Sequence, residues 1–210
     1  MMKVELRIVG LVVGLALAAC QRPAEVEVDP VVTALAGEID QQHLDSLTRK
    51  REGTRYLRRA VFQLEAARRE GRDLAELIEA AQRLNGDHGS ARAAAVRERL
   101  LENHSILEGL GCLADEGFGK LKTGNAPTIT AGKHSGEIAS VDHILPRSVV
   151  PELDSRLYNL RFMPEPMDGA KGNTIEGWQV LLAREWGEKG LLSEEGVSAV
   201  EKAGAGNDQR

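Results

Sequence analysis

The stretch "VDHILPRS", residues 141–148, leads on to "LYNLRFMP" at 157–164 and "MDGAKGN" at 167–173, and sets an acid and a histidine side by side after an apolar run. Asp142 and His143 are neighbours, so on a strand their side chains leave opposite faces. Both serve one site only where the strand ends or bends, and Pro146, with its fixed φ and missing donor, supplies that break. Further along lie Asn159, Asp168, Lys171 and Asn173. Two carboxylates, an imidazole and amides, with no cysteine among them, form an oxygen-rich set suited to Mg²⁺ or Mn²⁺ more than to structural zinc. A neutral histidine beside such a cation is suited to deprotonating water, while the cation stabilises charge on a phosphate oxygen. That combination is phosphodiester chemistry.

Around this stretch the texture is Gly, Pro and short β-prone runs, "TIT" at 128–130 and "EIASV" at 137–141. A helix follows, with Ile175, Trp178, Leu181, Leu182 and Trp186 expected on one side, Gly190 as the stop and Leu191 packing back. The order is strand, strand, helix, and "AGAGNDQR" at 203–210 is expected to be unstructured. Upstream, residues 36–84 carry helical spacing: Leu57, Val61, Leu64 and Ala67, then Leu74, Leu77, Ile78, Ala81 and Leu84. Asp73 with Glu76 forms a capping-box pattern where the helix restarts. A further helix begins at Ser90 and runs to about Leu107. Together these predict a helical hairpin or small bundle ahead of a small α+β module.

Between Thr48 and Asp73 the basic residues are Arg49, Lys50, Arg51, Arg55, Arg58, Arg59, Arg68, Arg69 and Arg72, against four acids. Two readings stand: a solvated helix face, or a surface for phosphates or anionic lipid headgroups. The formal net charge of −5 gives no global argument for a polyanion partner. His134, in "GKHSG", reads as a turn residue or a phosphate contact. His43, His88 and His104 are assigned no chemistry.

The N-terminus has its own logic. Lys3 and Arg7 precede "IVGLVVGLALAA" at 8–19, an uncharged run too short to span a bilayer comfortably. "LAAC", ending at Cys20, resembles the lipobox of bacterial lipoproteins, in which the cysteine is lipidated and becomes the new N-terminus. The resemblance implies an exported, membrane-anchored protein of the bacterial cell envelope, in the outer membrane or on the periplasmic face. With Cys20 lipidated, Cys112 is the one remaining thiol and no internal disulfide forms. Residues 20–35, with Pro23 and Pro30, read as a tether.

The segments "VDHILPRS", "LYNLRFMP" and "MDGAKGN", in that order and spacing, resemble the HNH endonuclease motif, a ββα-metal module, over about a quarter of the chain. The resemblance implies a metal-dependent endonuclease of low sequence specificity acting on DNA, with RNA as a further substrate. Asp142 would be a metal ligand, His143 the general base and Asn159 the residue that orients the His143 loop. The third position, His or Asn in the family, falls on Asp168, a departure that adds negative charge and puts metal preference in doubt. Lys171, Arg147, Arg161 and Asn173 would contact substrate, although each arginine has acids near it in sequence, Glu152, Asp154 and Glu165. The cofactor would be one divalent cation, Mg²⁺ foremost, then Mn²⁺ or Zn²⁺, and the partners nucleic acid, the membrane through Cys20, and an inhibitor protein whose identity the sequence leaves open. The competing expectation is a non-catalytic envelope lipoprotein with a helical interaction region and a degenerate HNH-like module. The implied organisation is a signal peptide over 1–19, tether 20–35, helical region 36–108, nuclease-like domain 109–192, and a short helix with a tail over 193–210.

Overall fold

Asp29 caps helix α1 (Pro30–Ile39): its Oδ1 accepts from the Val31 amide at 2.8 Å. The computed structural model describes residues 29–47, 52–167 and 174–205. The expectations for the signal peptide, Cys20, Arg49, Lys50, Arg51, Asp168, Lys171, Asn173 and residues 206–210 lie outside the described residues. Helix α1 begins inside the expected tether. Pro30 occupies the first helical turn, where a missing N–H costs no intrahelical bond. Val32, Leu35, Ala36 and Ile39 then bury one face, which a tether has no cause to do.

After α2 (Gln41–Ser46), helix α3 (Glu52–Arg69) buries Leu57, Ala60, Val61, Leu64 and Ala67. Gly71, at φ +76, turns the chain into α4 (Leu74–Leu84). Asp73 Oδ1 accepts from the Glu76 amide at 2.8 Å, and Ser90 Oγ caps α5 (Ala91–Gly109) through the Ala93 amide at 2.9 Å. Helix α1 packs on α3 and α4, and α3 packs on α5 and on α6 (Asp115–Lys122). In α6, a Cβ on Gly117 would lie 2.0 Å from the Cys112 carbonyl oxygen, so only glycine allows this approach.

The chain is mixed α/β, mostly helical, with a two-stranded antiparallel sheet among the described residues. Strand β1 (Ala139–His143) pairs with β2 (Leu160–Pro164) in the register Val141↔Phe162 and Asp142↔Arg161. Residues 128–130, the other β-prone run, contribute only the isolated bridge Thr128↔Ile138. The better partner is "LRFMP", which alternates: Leu160, Phe162 and Pro164 are buried, Arg161 is exposed and Met163 half-buried. A period of two is what a sheet with one core face requires. Helix α5 backs the sheet through Asn103, which is fully buried. Its Nδ2 donates to the Leu160 carbonyl at 2.9 Å and its Oδ1 accepts from the Phe162 amide at 2.8 Å. One side chain thus gives β2 the pairing a third strand would supply.

Helix α7 (Gly177–Glu188) follows the hairpin, and α8 (Glu194–Ala205) packs against it. The buried face of α7 carries Gln179, Ala183 and Trp186, whereas Trp178 and Leu181 point to solvent at 47% and 65% exposure. The expected single apolar side is therefore wrong for these two residues. Gln179 decides the rotation: its Nε2 donates to the Ile144 carbonyl, so an amide rather than the indole meets the end of β1. Trp186 packs edge-on to Tyr158 with ring centroids 5.1 Å apart. Gly190, at φ +67, ends the helix, and the Leu191 amide returns to the Trp186 carbonyl at 2.8 Å. Helix α8 continues through Ala205, so residues 203–205 of the expected tail are helical, with Val200 buried behind them.

Candidate active site

His143 closes β1 on its inner face and is 5% exposed. Its Nε2 donates to the Asp154 backbone carbonyl at 3.0 Å and also lies 3.0 Å from Asp154 Oδ1. The carbonyl oxygen can only accept, so Nε2 carries the proton and the lone pair of a neutral ring sits on Nδ1. Oδ1, though as close, makes no hydrogen bond among the described residues.

A buried amide fixes the backbone around this imidazole. Asn159 is fully buried; its Oδ1 accepts from the Leu145 amide at 2.8 Å, and its Nδ2 donates to the Leu145 carbonyl at 3.0 Å. The same Nδ2 reaches the Leu153 carbonyl at 3.4 Å, and the Asn159 carbonyl accepts from the Ile144 amide at 2.8 Å. One residue therefore ties the loop leaving His143 to the segment that presents Asp154. Pro146 then turns the chain, its carbonyl accepting from Val149 and Val150 at 2.9 and 3.0 Å. The adjacent Tyr158 donates its hydroxyl to the Leu191 carbonyl at 2.7 Å; burial pushes its phenol up to about 12, which keeps it a donor.

Asp142 lies on the opposite, outer face of β1, where its cross-strand neighbour is Arg161. The strand alternation holds through His143, so the acid and the histidine leave opposite faces. They still share a rim: Asp142, His143, Ile144, Arg161, Met163 and Trp178 line a cleft of about 50 Å³. Arg161 Nε is 3.3 Å from Glu102 Oε1 on α5, not from the acids near it in sequence. Glu152 instead accepts from the Ser193 amide and hydroxyl at 3.0 and 2.9 Å. Arg147 is partly buried, and its Nη1 has no hydrogen-bond partner among the described residues.

The structure thus gathers Asp142, His143 and Arg161 at one cleft with Asn159 behind it. Among the described residues no three His, Cys, Asp or Glu side chains come together to hold a metal ion. Asp142 supplies one hard oxygen donor at the cleft, which fits one corner of a Mg²⁺ shell. Asp168, its implied companion, lies outside the described residues with Lys171 and Asn173.

His134 belongs to its turn: Nδ1 is 2.7 Å from Glu137 Oε2, and Nε2 is buried without a hydrogen-bond partner among the described residues. Several arginines of the basic run serve the bundle. Arg59 donates to Glu38 at 2.8 Å, Arg72 pairs with Asp29, and Arg58 donates to the Gly124 carbonyl at 3.3 Å. Arg68 and Arg69 donate to the buried Glu65 at 2.7 and 2.9 Å, and His104 Nε2 lies 3.0 Å from it. Burial alone would raise the Glu65 carboxyl, but Arg68, Arg69 and His104 outweigh it and hold it at about 2. Arg58, Arg59, Arg69 and Arg72 thus bond to other elements of the fold, whereas Arg68 pairs with Glu65 within α3.

Sequence reasoning missed Asp154, Asn103 and Gln179 as supporting residues. Asp154 and Asn103 stand in no spacing pattern, Gln179 stands only in a capping box with Glu176, and their bonds to distant residues are revealed only by the folded chain. No protein-family model, curated protein or solved structure matches this chain.

Proposed function

We propose that the chain is an HNH-type, metal-dependent endonuclease with a ββα core made of β1, β2 and α7. The observation that carries this reading is the held imidazole: His143 anchored through Nε2 beside a cleft that also presents Asp142 and Arg161. A divalent cation bound by Asp142 with Asp168 would supply charge stabilisation at the scissile phosphate. Around it the chain's own groups divide the work. Nδ1 of His143 takes the proton from the attacking water. The Asp154 carbonyl fixes the ring, and the neighbouring carboxylate stabilises the imidazolium that forms. Asn159 keeps the two segments in register, a task that decides rate because misplacement by about 1 Å costs on the order of 10²-fold. Arg161, exposed along much of its side chain, holds a phosphate oxygen.

Cleavage of supercoiled plasmid by the full chain, with Mg²⁺, Mn²⁺, Zn²⁺ or EDTA, tests the reading beside His143→Ala. Loss of the general base should lower the rate by about 10²–10⁴-fold. Equal rates in the two proteins refute it. Export and anchoring through Cys20 are proposed with it, and a radioactive fatty acid should label the wild type but not Cys20→Ser.

A further inference from the structure

We propose that Trp178 is a stacking platform for an unpaired base, so that the site takes single-stranded nucleic acid in preference to duplex; this rests on the nuclease reading above. The indole is the second residue of α7, yet it faces outward at 47% exposure while Gln179 takes the inward position. Its orientation is fixed, because Nε1 donates to Glu176 Oε2 at 2.6 Å. Leu181, three residues on and 65% exposed, continues the same helix face. Trp178 also lines the cleft of Asp142, His143 and Arg161, so a strand with a phosphate at Arg161 would pass a base by the indole.

Stacking explains why a large apolar ring stays in water at the edge of the cleft that carries Asp142 and Arg161. Every base offers a π-face, and removal of one such aromatic platform weakens single-strand binding by roughly 5- to 150-fold. In a duplex the faces are already stacked on their neighbours and the indole gains nothing. A lipid surface fits less well, since Glu176 and Asp142 would have to follow the indole out of water.

The chain has two tryptophans, and Trp186 is buried against Tyr158, so a quenching ligand reads Trp178. The full chain is titrated in EDTA with an oligothymidine strand, with a blunt duplex of equal length, and with vesicles of phosphatidylglycerol and phosphatidylethanolamine. Quenching of the wild type by the single strand, at least tenfold tighter than by the duplex, is the expected result, and the anisotropy of a dye-labelled oligothymidine, which needs no indole at 178, should show affinity weakened about tenfold or more in Trp178→Leu but not in Trp178→Phe. Equal affinity for strand and duplex overturns the proposal, as does unchanged single-strand affinity in Trp178→Leu or a response to vesicles alone. The wild-type titration stands even if Trp178→Leu fails to fold. Cleavage is scored separately with Mg²⁺: stacking without cleavage removes the nuclease and keeps the platform, and cleavage without single-strand preference does the reverse.

Discussion

His143 Nε2 stands 3.0 Å from two oxygens of one residue, the backbone carbonyl and the carboxylate of Asp154. The carbonyl fixes the tautomer whatever side chain follows, whereas the carboxylate offers charge to an imidazolium. The two contributions separate by mutation. Asp154→Ala keeps the carbonyl and removes the charge, so kcat for plasmid cleavage should fall by about 10- to 100-fold with little change in KM. A kcat equal to wild type would show that the carboxylate is a bystander.

Asn159 predicts a different balance. Its carboxamide satisfies both backbone groups of Leu145 inside the protein. Asn159→Ala leaves them buried and unpaired, at about 1–3 kcal/mol each. Urea unfolding should show a loss of about 2–6 kcal/mol, and cleavage should fall as well because the segments of His143 and Asp154 are no longer tied. A stable variant with a slow rate would restrict Asn159 to positioning; a normal rate would remove it from the site.

Asn103 gives a stability prediction with no link to chemistry. Asn103→Leu fills similar space but removes the partners of the Leu160 carbonyl and Phe162 amide, so the unfolding free energy should drop by about 2–4 kcal/mol. Hydrogen exchange at the Phe162 amide should accelerate beyond what global destabilisation explains. Exchange that follows global stability alone would mean the strand finds another donor and acceptor.

The helical bundle was the most legible part of the sequence, because helix caps act locally: Asp73 and Ser90 bond amides three residues away, as their spacing predicts. The sheet was half legible. "EIASV" leads into β1, but its partner lies about twenty residues beyond, and "TIT" was a nearer, weaker competitor. Pairing between distant strands is chosen by the core face, and Asn103, the residue that completes that choice for β2, sits on a helix with no strand signal. Around α7 the expected face holds at Ile175 and Trp186 and fails at Trp178 and Leu181: Gln179, polar and buried, outranks Trp178 because the Ile144 carbonyl needs a donor.

Acid should unfold the protein through Glu65. Its carboxyl lies at 4.5 when unperturbed and at about 2 in the fold, since the donors Arg68, Arg69 and His104 outweigh burial. The depressed value means the folded state favours the ionised form. The stabilisation is complete above pH 4.5 and is lost as pH falls through about 2, a change of roughly 3 kcal/mol. Urea midpoints measured between pH 5 and 2 should fall accordingly, and Glu65→Gln should lose that slope while being less stable at pH 7. A wild-type midpoint flat over that range would contradict the pairing.

Cys112 supplies the last test, one of burial rather than activity. The thiol is fully buried behind α6, and desolvation pushes it up to about 11. Thiolate is the reactive form, so at pH 8 both access and ionisation oppose reaction. In Cys20→Ser, where Cys112 is the only cysteine, an aromatic disulfide reagent should label nothing in the native protein and one thiol in urea. The native labelling rate should rise with urea in step with the fraction unfolded. Fast labelling without urea would mean that the turn before α6, where Gly117 closes on the Cys112 carbonyl, opens while the rest of the fold stays intact.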